Sequence, residues 1–237
     1  MFFGRGLFYY DIYYIILILP VILISGFVQI KLMLVYSKFS KIKNEKCLTG
    51  SVVARNILDG AGLSHVRVER VEGHLTDHFD PKSNVVRLSS ENYDSCSIAA
   101  VGIAAHEVGH AIQFSKNYFP MQIRSKVVVV TNLGSKLFFP ILIAGVILSM
   151  FKLIVLGIVL FAITVFFEFV TLPVEFNASW RALRILKTNK ILGFSELVGV
   201  RKVLTVAALT YVTSFLMALM QLIRFILIFM SRRSNDD

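Results

Sequence analysis

Cysteine is scarce in this chain of 237 residues, which contains only Cys47 and Cys96. Neither cysteine has a second ligand residue at the short spacing of a metal-binding pair, so a metal site built on thiolates is not indicated. Two thiols also make no disulfide framework. We therefore expect free cysteines in a reducing compartment.

Charge is sparse as well, since charged residues make up 17% of the chain and hydrophobic residues 56%, with a mean hydropathy of +0.70. The apolar residues form blocks that reach the roughly 20 residues needed to cross a hydrocarbon core about 30 Å thick. We predict four spanning helices, at residues 12–36, 133–151, 153–172 and 203–230. Lys152 alone separates the middle two and marks a tight turn, although a single hairpin that dips into the bilayer is an alternative for this pair.

The first apolar block lacks the basic region in front and the small-residue cleavage site behind that a signal peptide has. We interpret it as a retained membrane anchor. We expect an aromatic belt at the membrane interface, formed by Tyr9, Tyr10, Tyr13 and Tyr14.

Acidic residues are outnumbered by basic residues, 15 to 25, which gives a formal net charge of +10. The basic residues cluster after the first span and between the third and fourth spans. Under the positive-inside rule both clusters lie in the cytoplasm and both chain termini lie outside. This placement favours lipid phosphates over nucleic acid as partners. The clusters comprise Lys31, Lys38, Lys41, Lys43 and Lys46, then Arg181, Arg184, Lys187, Lys190, Arg201 and Lys202.

Only five histidines occur, and two of them stand in His106-Glu107-Val108-Gly109-His110, an HExxH pentapeptide. Because residues i and i+4 lie on one face of a helix, His106 and His110 can bind one metal ion together. Glu107 then lies beside the ion, where it can accept a proton from water. The apolar run before His106 is too short for a span, which favours a cytoplasmic helix near the membrane surface.

The polar stretch between the first two spans predicts a small module of helices and strands. Its hairpin carries His74 and His78, whose even spacing would put both on one strand face, as a solvent-facing pair rather than a second metal site. The hairpin edge can also bind an extended peptide through backbone hydrogen bonds. In order, the predicted elements are an amphipathic helix capped by Thr49 or Ser51 and ended by Gly60 or Gly62, a strand at 65–69, a hairpin of 74–79 and 84–88, and the HExxH helix from about Ser97 to Lys116.

A hydrolytic zinc site usually has three protein ligands, but no histidine follows His110. Glu175 is the favoured third ligand, because two predicted spans separate it from His110 and return the chain to the same side of the membrane. Glu168 stays open as an alternative, since an ionisable group inside a span is a functional candidate by default.

Five sequence blocks resemble the signature blocks of the YugP-type neutral zinc metallopeptidases of bacterial membranes, in matching order over nearly the whole chain. More distantly, an HExxH helix followed by a membrane hairpin and a glutamate-bearing helix is similar to HtpX-type membrane proteases and CAAX prenyl proteases. The blocks are LTDHFDP (75–81), VVRLS (85–89), AAHEVGHAIQ (104–113), LPVEFNAS (172–179) and AALTYV (207–212).

The resemblance implies that zinc is the cofactor and that Glu175 is its third ligand. Those relatives usually carry a supporting aspartate four positions later, where this chain has Ser179, and Asn177 is a substitute candidate for that role. An oxyanion also needs a hydrogen-bond donor, for which His78, Tyr211 and Arg181 are the candidates.

These observations predict a zinc endopeptidase that hydrolyses membrane-associated or unfolded polypeptides at the cytoplasmic face of a bacterial inner (cytoplasmic) membrane. The expected partners are the lipid bilayer and a polypeptide substrate, with no nucleic acid; a homo-oligomer or an accessory membrane partner stays open. The alternative is a non-catalytic scaffold stabilised by zinc. A transporter is disfavoured, because the spans are nearly free of polar residues and show no repeat.

The predicted fold is an integral membrane α-helical protein with a small α+β, zincin-like metalloprotease module. Its expected divisions are an N-terminal anchor (1–36), a cytoplasmic module with the HExxH helix (37–126), a transmembrane hairpin (127–172), a cytoplasmic helix with the third ligand (173–202), and a C-terminal transmembrane helix with its tail (203–237).

Overall fold

The computed structural model describes residues 12–233, and of residues 231–233 it describes only the backbone. Tyr9 and Tyr10 of the predicted aromatic belt, and the two chain termini, lie outside the described residues. A π-helical segment, Tyr14–Ile18, leads into the first of seven α-helices. The helices are α1 (Leu19–Ser40), α2 (Gly50–Gly60), α3 (Ser90–Tyr93), α4 (Ile98–Ser115), α5 (Phe119–Ile147), α6 (Phe151–Thr188) and α7 (Phe194–Arg233), and the strands are β1 (Arg67–Val71), β2 (His78–Asp80) and β3 (Val85–Ser89).

Among the described residues, four helical segments are long and apolar enough to cross a membrane, and together with the small sheet they confirm the predicted fold class. Many of their large apolar side chains face outward, as lipid-facing residues do; Leu23 is 66% exposed and Val129 64%. The segments are Tyr14–Ser40, Phe119–Ile147, Phe151–Thr188 and Phe194–Met230.

Helices α6 and α7 are longer than a bilayer requires, with 38 and 40 residues. At about 1.5 Å per residue each is nearly twice as long as a hydrocarbon core of about 30 Å is thick. Each helix therefore has a part that projects beyond the apolar layer. These projecting parts pack against the module between the first two spans, and both contact α4.

The turn between α5 and α6 lies at residues 148–150, slightly before the position predicted from sequence. Ser149 adopts a left-handed backbone conformation, with φ of 54°, which reverses the chain there. Lys152 instead belongs to the first turn of α6. The sequence prediction used the only charge in this region, whereas the reversal depends on backbone conformation.

The sheet has the order β1-β3-β2, with β3 in the middle. Strand β2 runs antiparallel to β3, with His78 opposite Arg87, so the predicted hairpin is confirmed. Strand β1 runs parallel to β3. It begins at Arg67 rather than at the predicted residue 65, because the N–H of Val66 donates to Leu63 in a turn. Strand β2 forms an edge of the sheet beside α4.

The hairpin arm before β3 is shorter than predicted, since β2 begins only at His78. Gly73 and Leu75 have φ values of 108° and 54°, and neither value is compatible with an extended strand. His74 therefore lies in a loop, and the expectation that it shares a strand face with His78 is wrong.

Helix α4 is the central element of the module. It begins after Ser97, whose Oγ accepts a hydrogen bond from the N–H of Ala100 at 3.1 Å, and its C-cap is Lys116. Both ends match the sequence prediction. The helix is buried almost all round, against α2, the sheet, α6 and α7, and Val101 and Val108 are fully buried in the core.

A close contact of helix backbones joins α4 to α6. A Cβ atom added to Gly109 would lie 2.8 Å from the carbonyl oxygen of Ala178, which is closer than real Cβ contacts. Glycine at this position and the fully buried Ala178 therefore allow the two helices to approach. This approach fixes the distance between the histidines of α4 and the residues of α6.

Candidate metal centre

The two histidines of the HExxH motif lie on the face of α4 that meets α6. Their ring centroids are 4.7 Å apart and their planes are nearly perpendicular, at 84°. His110 is buried and His106 is partly buried. The spacing of four residues thus brings both imidazoles to one place, as the helical period requires.

Glu175 of α6 completes a cluster with these histidines. Its Oε2 atom lies 3.2 Å from Nε2 of His106 and 3.5 Å from Nε2 of His110, and the residue is only 2% exposed. The membrane hairpin of α5 and α6 thus returns the chain to the histidines. Glu168 lies on the same helix but is not a member of the cluster.

The cluster fits a zinc ion by the chemistry and spacing of its donor atoms. Two imidazole nitrogens and one carboxylate oxygen are a common donor set for zinc, with bond lengths near 2.0–2.2 Å. A tetrahedral arrangement at those lengths separates neighbouring donor atoms by about 3.4 Å, close to the 3.2 and 3.5 Å found between Glu175 and the histidines. Within residues 12–233, this is the one group of three or more such side chains close enough to hold a metal.

Hydrogen bonds at the far nitrogen of each imidazole direct the Nε2 atoms toward Glu175. Nδ1 of His110 lies 3.0 Å from Oε1 of Gln113, and Nδ1 of His106 lies 3.1 Å from Oγ of Ser179. With Nδ1–H as the donor in each pair, the Nε2 lone pairs are free to bind a metal. Ser179, a supporting candidate from the sequence, thus contacts His106.

Gln113 was missed by the sequence analysis. It is fully buried, and its Nε2 donates to the carbonyl oxygen of Val174 at 2.8 Å and to Oδ1 of Asn177 at 3.0 Å. It therefore holds His110 and α6 in register. Its position three residues after His110, on the same helix face, was the signal that could have identified it.

Arg124 was also missed. It lies in the first turns of α5, and its Nη1 is 3.6 Å from Oε1 of Glu175. The other carboxylate oxygen of Glu175, Oε2, is the one that lies near the two histidines. A cation here offsets part of the cost of burying the Glu175 carboxylate. Nothing in the local sequence distinguishes this arginine from an ordinary basic residue at the end of a span.

Glu107 lines the same cavity as His106 and Glu175, a space of about 200 Å³. Burial raises the pKa of Glu107 to about 7, and the carboxylates of Glu175 and Asp77 act in the same direction. The electrostatic influence of the His106 ring and the backbone N–H of Phe79 in β2 oppose that rise in the pKa of Glu107. The edge strand of the sheet is therefore in contact with the carboxyl group of the HExxH motif.

The remaining sequence candidates divide into two groups. Tyr211 of α7 lines the cavity, together with Ser179. Arg181 and Asn177 do not line the cavity. Arg181 donates from Nε to Oδ1 of Asn177 at 2.7 Å, and the same oxygen accepts a hydrogen bond from Gln113.

The two histidines of the predicted hairpin are not part of the cavity lining. His78 is exposed, and its Nδ1 lies 2.8 Å from the carbonyl oxygen of Thr76. His74 pairs with Glu91 at 2.6 Å. The structure thus brings neither of them to the metal cluster, and among the described residues they form no second one.

Comparisons with known proteins identify relatives of this chain. A family model with the description "Putative neutral zinc metallopeptidase" matches residues 14–230. The chain is 43% identical over 223 residues to a protein of Bacillus subtilis (strain 168) named "Putative membrane protease YugP", covering 94% of this chain and 99% of that protein. No solved structure is significantly similar to the chain.

Proposed function

Because this chain belongs to the family of neutral zinc metallopeptidases, we propose that it is a membrane endopeptidase whose zinc ligands are His106, His110 and Glu175. The observation that carries the proposal is the convergence of the three donor atoms, all within 4.8 Å of one another, beside the Glu107 carboxyl group. A structural zinc site normally has four protein ligands, whereas a catalytic site has three. Because the cluster supplies three protein ligands, it supports a hydrolytic enzyme over a non-catalytic scaffold stabilised by zinc.

In the proposed reaction, the oxygen of a water molecule attacks the carbonyl carbon of the peptide bond and the C–N bond breaks. Zinc, when bound, supplies Lewis-acid chemistry, since it acidifies water and polarises a carbonyl group. Glu107 accepts one proton of the attacking water and passes it to the leaving nitrogen, while the hydroxyl group stays on the acyl carbon. The carboxylic acid and amine formed in this way ionise to a carboxylate and an ammonium group near neutral pH.

Tyr211 is the proposed hydrogen-bond donor to the oxyanion. It lies on α7 and lines the cavity together with Glu107 of α4. A hydroxyl at this position can donate to a negatively charged oxygen that forms between the two helices. His78 and Arg181, whose contacts lie elsewhere, are not part of this proposal.

We further propose that the site faces the cytoplasm from a bacterial inner membrane, acting on membrane-associated or unfolded polypeptides. The basic residues that follow α1 and those in the projecting part of α6 support this orientation. We also propose the division of the chain that the sequence predicts: an anchor, a module, a hairpin, a ligand-bearing helix and a C-terminal span.

The test is hydrolysis of an unfolded, water-soluble polypeptide by the purified full-length protein loaded with zinc. Glu107→Gln should lower the rate by about 10²–10⁴-fold, because the proton acceptor is lost, while bound zinc is retained. Glu72→Gln is the matched control, since Glu72 is exposed and lies outside the cavity. Full activity of Glu107→Gln would contradict the mechanism, and absence of zinc-dependent cleavage by the unmodified protein would favour the scaffold.

A further inference from the structure

A second cavity lies between α1 and α7, with a volume of about 780 Å³. Thr210 lines both this cavity and the one that holds the metal cluster. The two spaces thus lie on either side of, or next to, the same residue, and we call the second one the interhelical groove. The residues of α1 and α7 that line the groove are mostly small or polar, and include Ser25, Gln29, Thr213, Ser214 and Gln221.

The interhelical groove is lined by residues of two helical segments that are long and apolar enough to cross a membrane, Tyr14–Ser40 and Phe194–Met230. Tyr36 of α1 lines the metal-centre cavity, whereas Ser25 lines the groove. At about 1.5 Å per residue, Ser25 lies about 16 Å further along the helix than Tyr36. That distance is about half the thickness of a hydrocarbon core of about 30 Å. On α7, Gln221 lies at a similar distance from Tyr211.

Two glutamine side chains of this groove lack internal partners, whereas Thr210 and Thr213 donate to backbone carbonyl oxygens of their own helix. Within residues 12–233, Gln29 and Gln221 make no side-chain hydrogen bond with each other or with any other described group. A polar group exposed to hydrocarbon without a partner is costly. Glutamines whose role was to hold α1 against α7 would be expected to bond across the interface. Their free amides instead face the open space between the helices.

We propose that the interhelical groove receives an unwound stretch of a transmembrane segment of a protein substrate and leads it to the metal centre; this inference rests on the proposed function. A helix must unwind before its peptide bonds can enter a narrow site, and inside a bilayer the N–H and C=O groups that it frees need new partners. Serine, threonine and glutamine side chains supply donors and acceptors for such a backbone. A lipid acyl chain has no hydrogen-bonding groups that could pair with these side chains. A polypeptide backbone has such groups and is therefore the favoured occupant.

Gly26 offers a way to block the groove without touching the metal cluster. A Cβ atom at Gly26 would meet no other atom within 4 Å, so a large side chain there would enter open space. The matched control is Leu23, on the same helix, which is 66% exposed and does not line the groove. Tryptophan at either position adds the same bulk to α1.

The experiment compares two substrates of the zinc-loaded full-length protein in vesicles of phosphatidylethanolamine and phosphatidylglycerol. One is a water-soluble unfolded polypeptide; the other is a synthetic peptide with one transmembrane segment weakened by a Pro-Gly pair. Gly26→Trp should lower the ratio of membrane-peptide to soluble-polypeptide cleavage by about tenfold, because remote substrate binding is lost, and Leu23→Trp should leave that ratio unchanged. Equal ratios for Gly26→Trp and the unmodified protein would overturn the inference.

Disulfide cross-linking separates failure of this inference from failure of the proposed function. In a background with Cys47→Ser and Cys96→Ser, and with an added thiol oxidant to accept the two electrons, Ser25→Cys should form a disulfide with a cysteine placed in the membrane segment of the peptide, and Leu23→Cys should not. This readout needs no hydrolysis. A protein that cleaves neither substrate but still forms the Ser25→Cys cross-link would contradict only the proposed activity. Cross-linking of both positions alike would mean that the peptide merely diffuses in the bilayer, and would overturn the groove as its site.

Discussion

At the residue scale, the metal centre depends on side chains that the motif does not contain. His106 and His110 come from the HExxH pentapeptide, but each is oriented by a hydrogen bond at its other ring nitrogen, to Ser179 and Gln113. Such partners fix the tautomer and the ring orientation of a ligand histidine. Gln113 does more than this, because it also bonds to the backbone of α6.

We therefore expect Gln113→Ala to weaken zinc binding by about 10–100-fold, through loss of the hydrogen bond to His110. Competition with a zinc-binding dye measures this affinity directly. Gln122→Ala is a suitable control, since the Gln122 side chain donates to Asn117 at the exposed surface, away from the metal cluster. Unchanged zinc affinity in Gln113→Ala would show that His110 is oriented without its help.

The identity of the third ligand gives a second prediction at this scale. Glu175→Ala removes a donor atom that lies 3.2 Å from His106, so the purified protein should lose most of its bound zinc. Glu168→Ala should keep its zinc, because Glu168 is outside the cluster. Measurement of the zinc content of both variants decides whether Glu175 or Glu168 is the third ligand. Loss of zinc in Glu168→Ala and not in Glu175→Ala would assign the ligand to Glu168.

Sequence reasoning could identify the two histidines and favour Glu175, because a helical period and a count of spans are enough for that. It could not identify Arg124 or the role of Gln113. Their contacts with Glu175 and Val174 join residues on different helices, and no spacing along the chain encodes such pairs. Tyr211 and His78 show the same limit, since only the fold separates a residue of the cavity from an exposed one.

At the element scale, helix ends were predictable where a side chain caps them. Ser97 and Thr49 both accept a backbone N–H at the start of a helix, as their residue types suggest. The loop before β2 was not predictable, because the left-handed conformation of Leu75 is imposed by its surroundings and is unfavourable for that residue type.

The approach of α4 to α6 gives a prediction about elements. Gly109→Ala places a methyl group against the backbone of Ala178, and this contact cannot be relieved by moving a side chain. We expect the protein to be destabilised by about 1–3 kcal/mol and the distance from Glu175 to the histidines to increase. Thermal unfolding and zinc content are the measurements. Gly60→Ala is the control, since a Cβ there meets nothing within 4 Å; equal behaviour of the two variants would contradict the packing argument.

At the scale of the whole molecule, the three proposed metal ligands lie on both the module and a membrane helix. His106 and His110 belong to α4, while Glu175 belongs to a helix that is long enough to cross the bilayer. An ion bound by all three residues therefore joins two parts of the fold that are far apart in sequence. Ions that bind only the folded state stabilise it by mass action.

Removal of zinc should accordingly lower the unfolding temperature of the detergent-solubilised protein, by an amount equivalent to about 3–4 kcal/mol when zinc is at about 100–1,000 times its Kd. Trp180, the single tryptophan, lies on α6 five residues after Glu175 and can report unfolding by its fluorescence. Glu107→Gln should show the same zinc-dependent shift, and Glu175→Ala should show almost none. Identical unfolding temperatures of the unmodified protein with and without zinc would contradict a bridging ion.

The separation of the ligands along the chain has a consequence for biosynthesis. His106 and Glu175 are 69 residues apart. The chain between them forms α5 and most of α6, two helices that are long and apolar enough to cross a membrane. A ribosome that has just completed α4 has made both histidines but no third ligand. The ligand set becomes complete only after the α5–α6 hairpin has been inserted, so a nascent or misdirected chain cannot assemble the site. For the proposed ligand set, insertion of the α5–α6 hairpin is thus the step that completes the site.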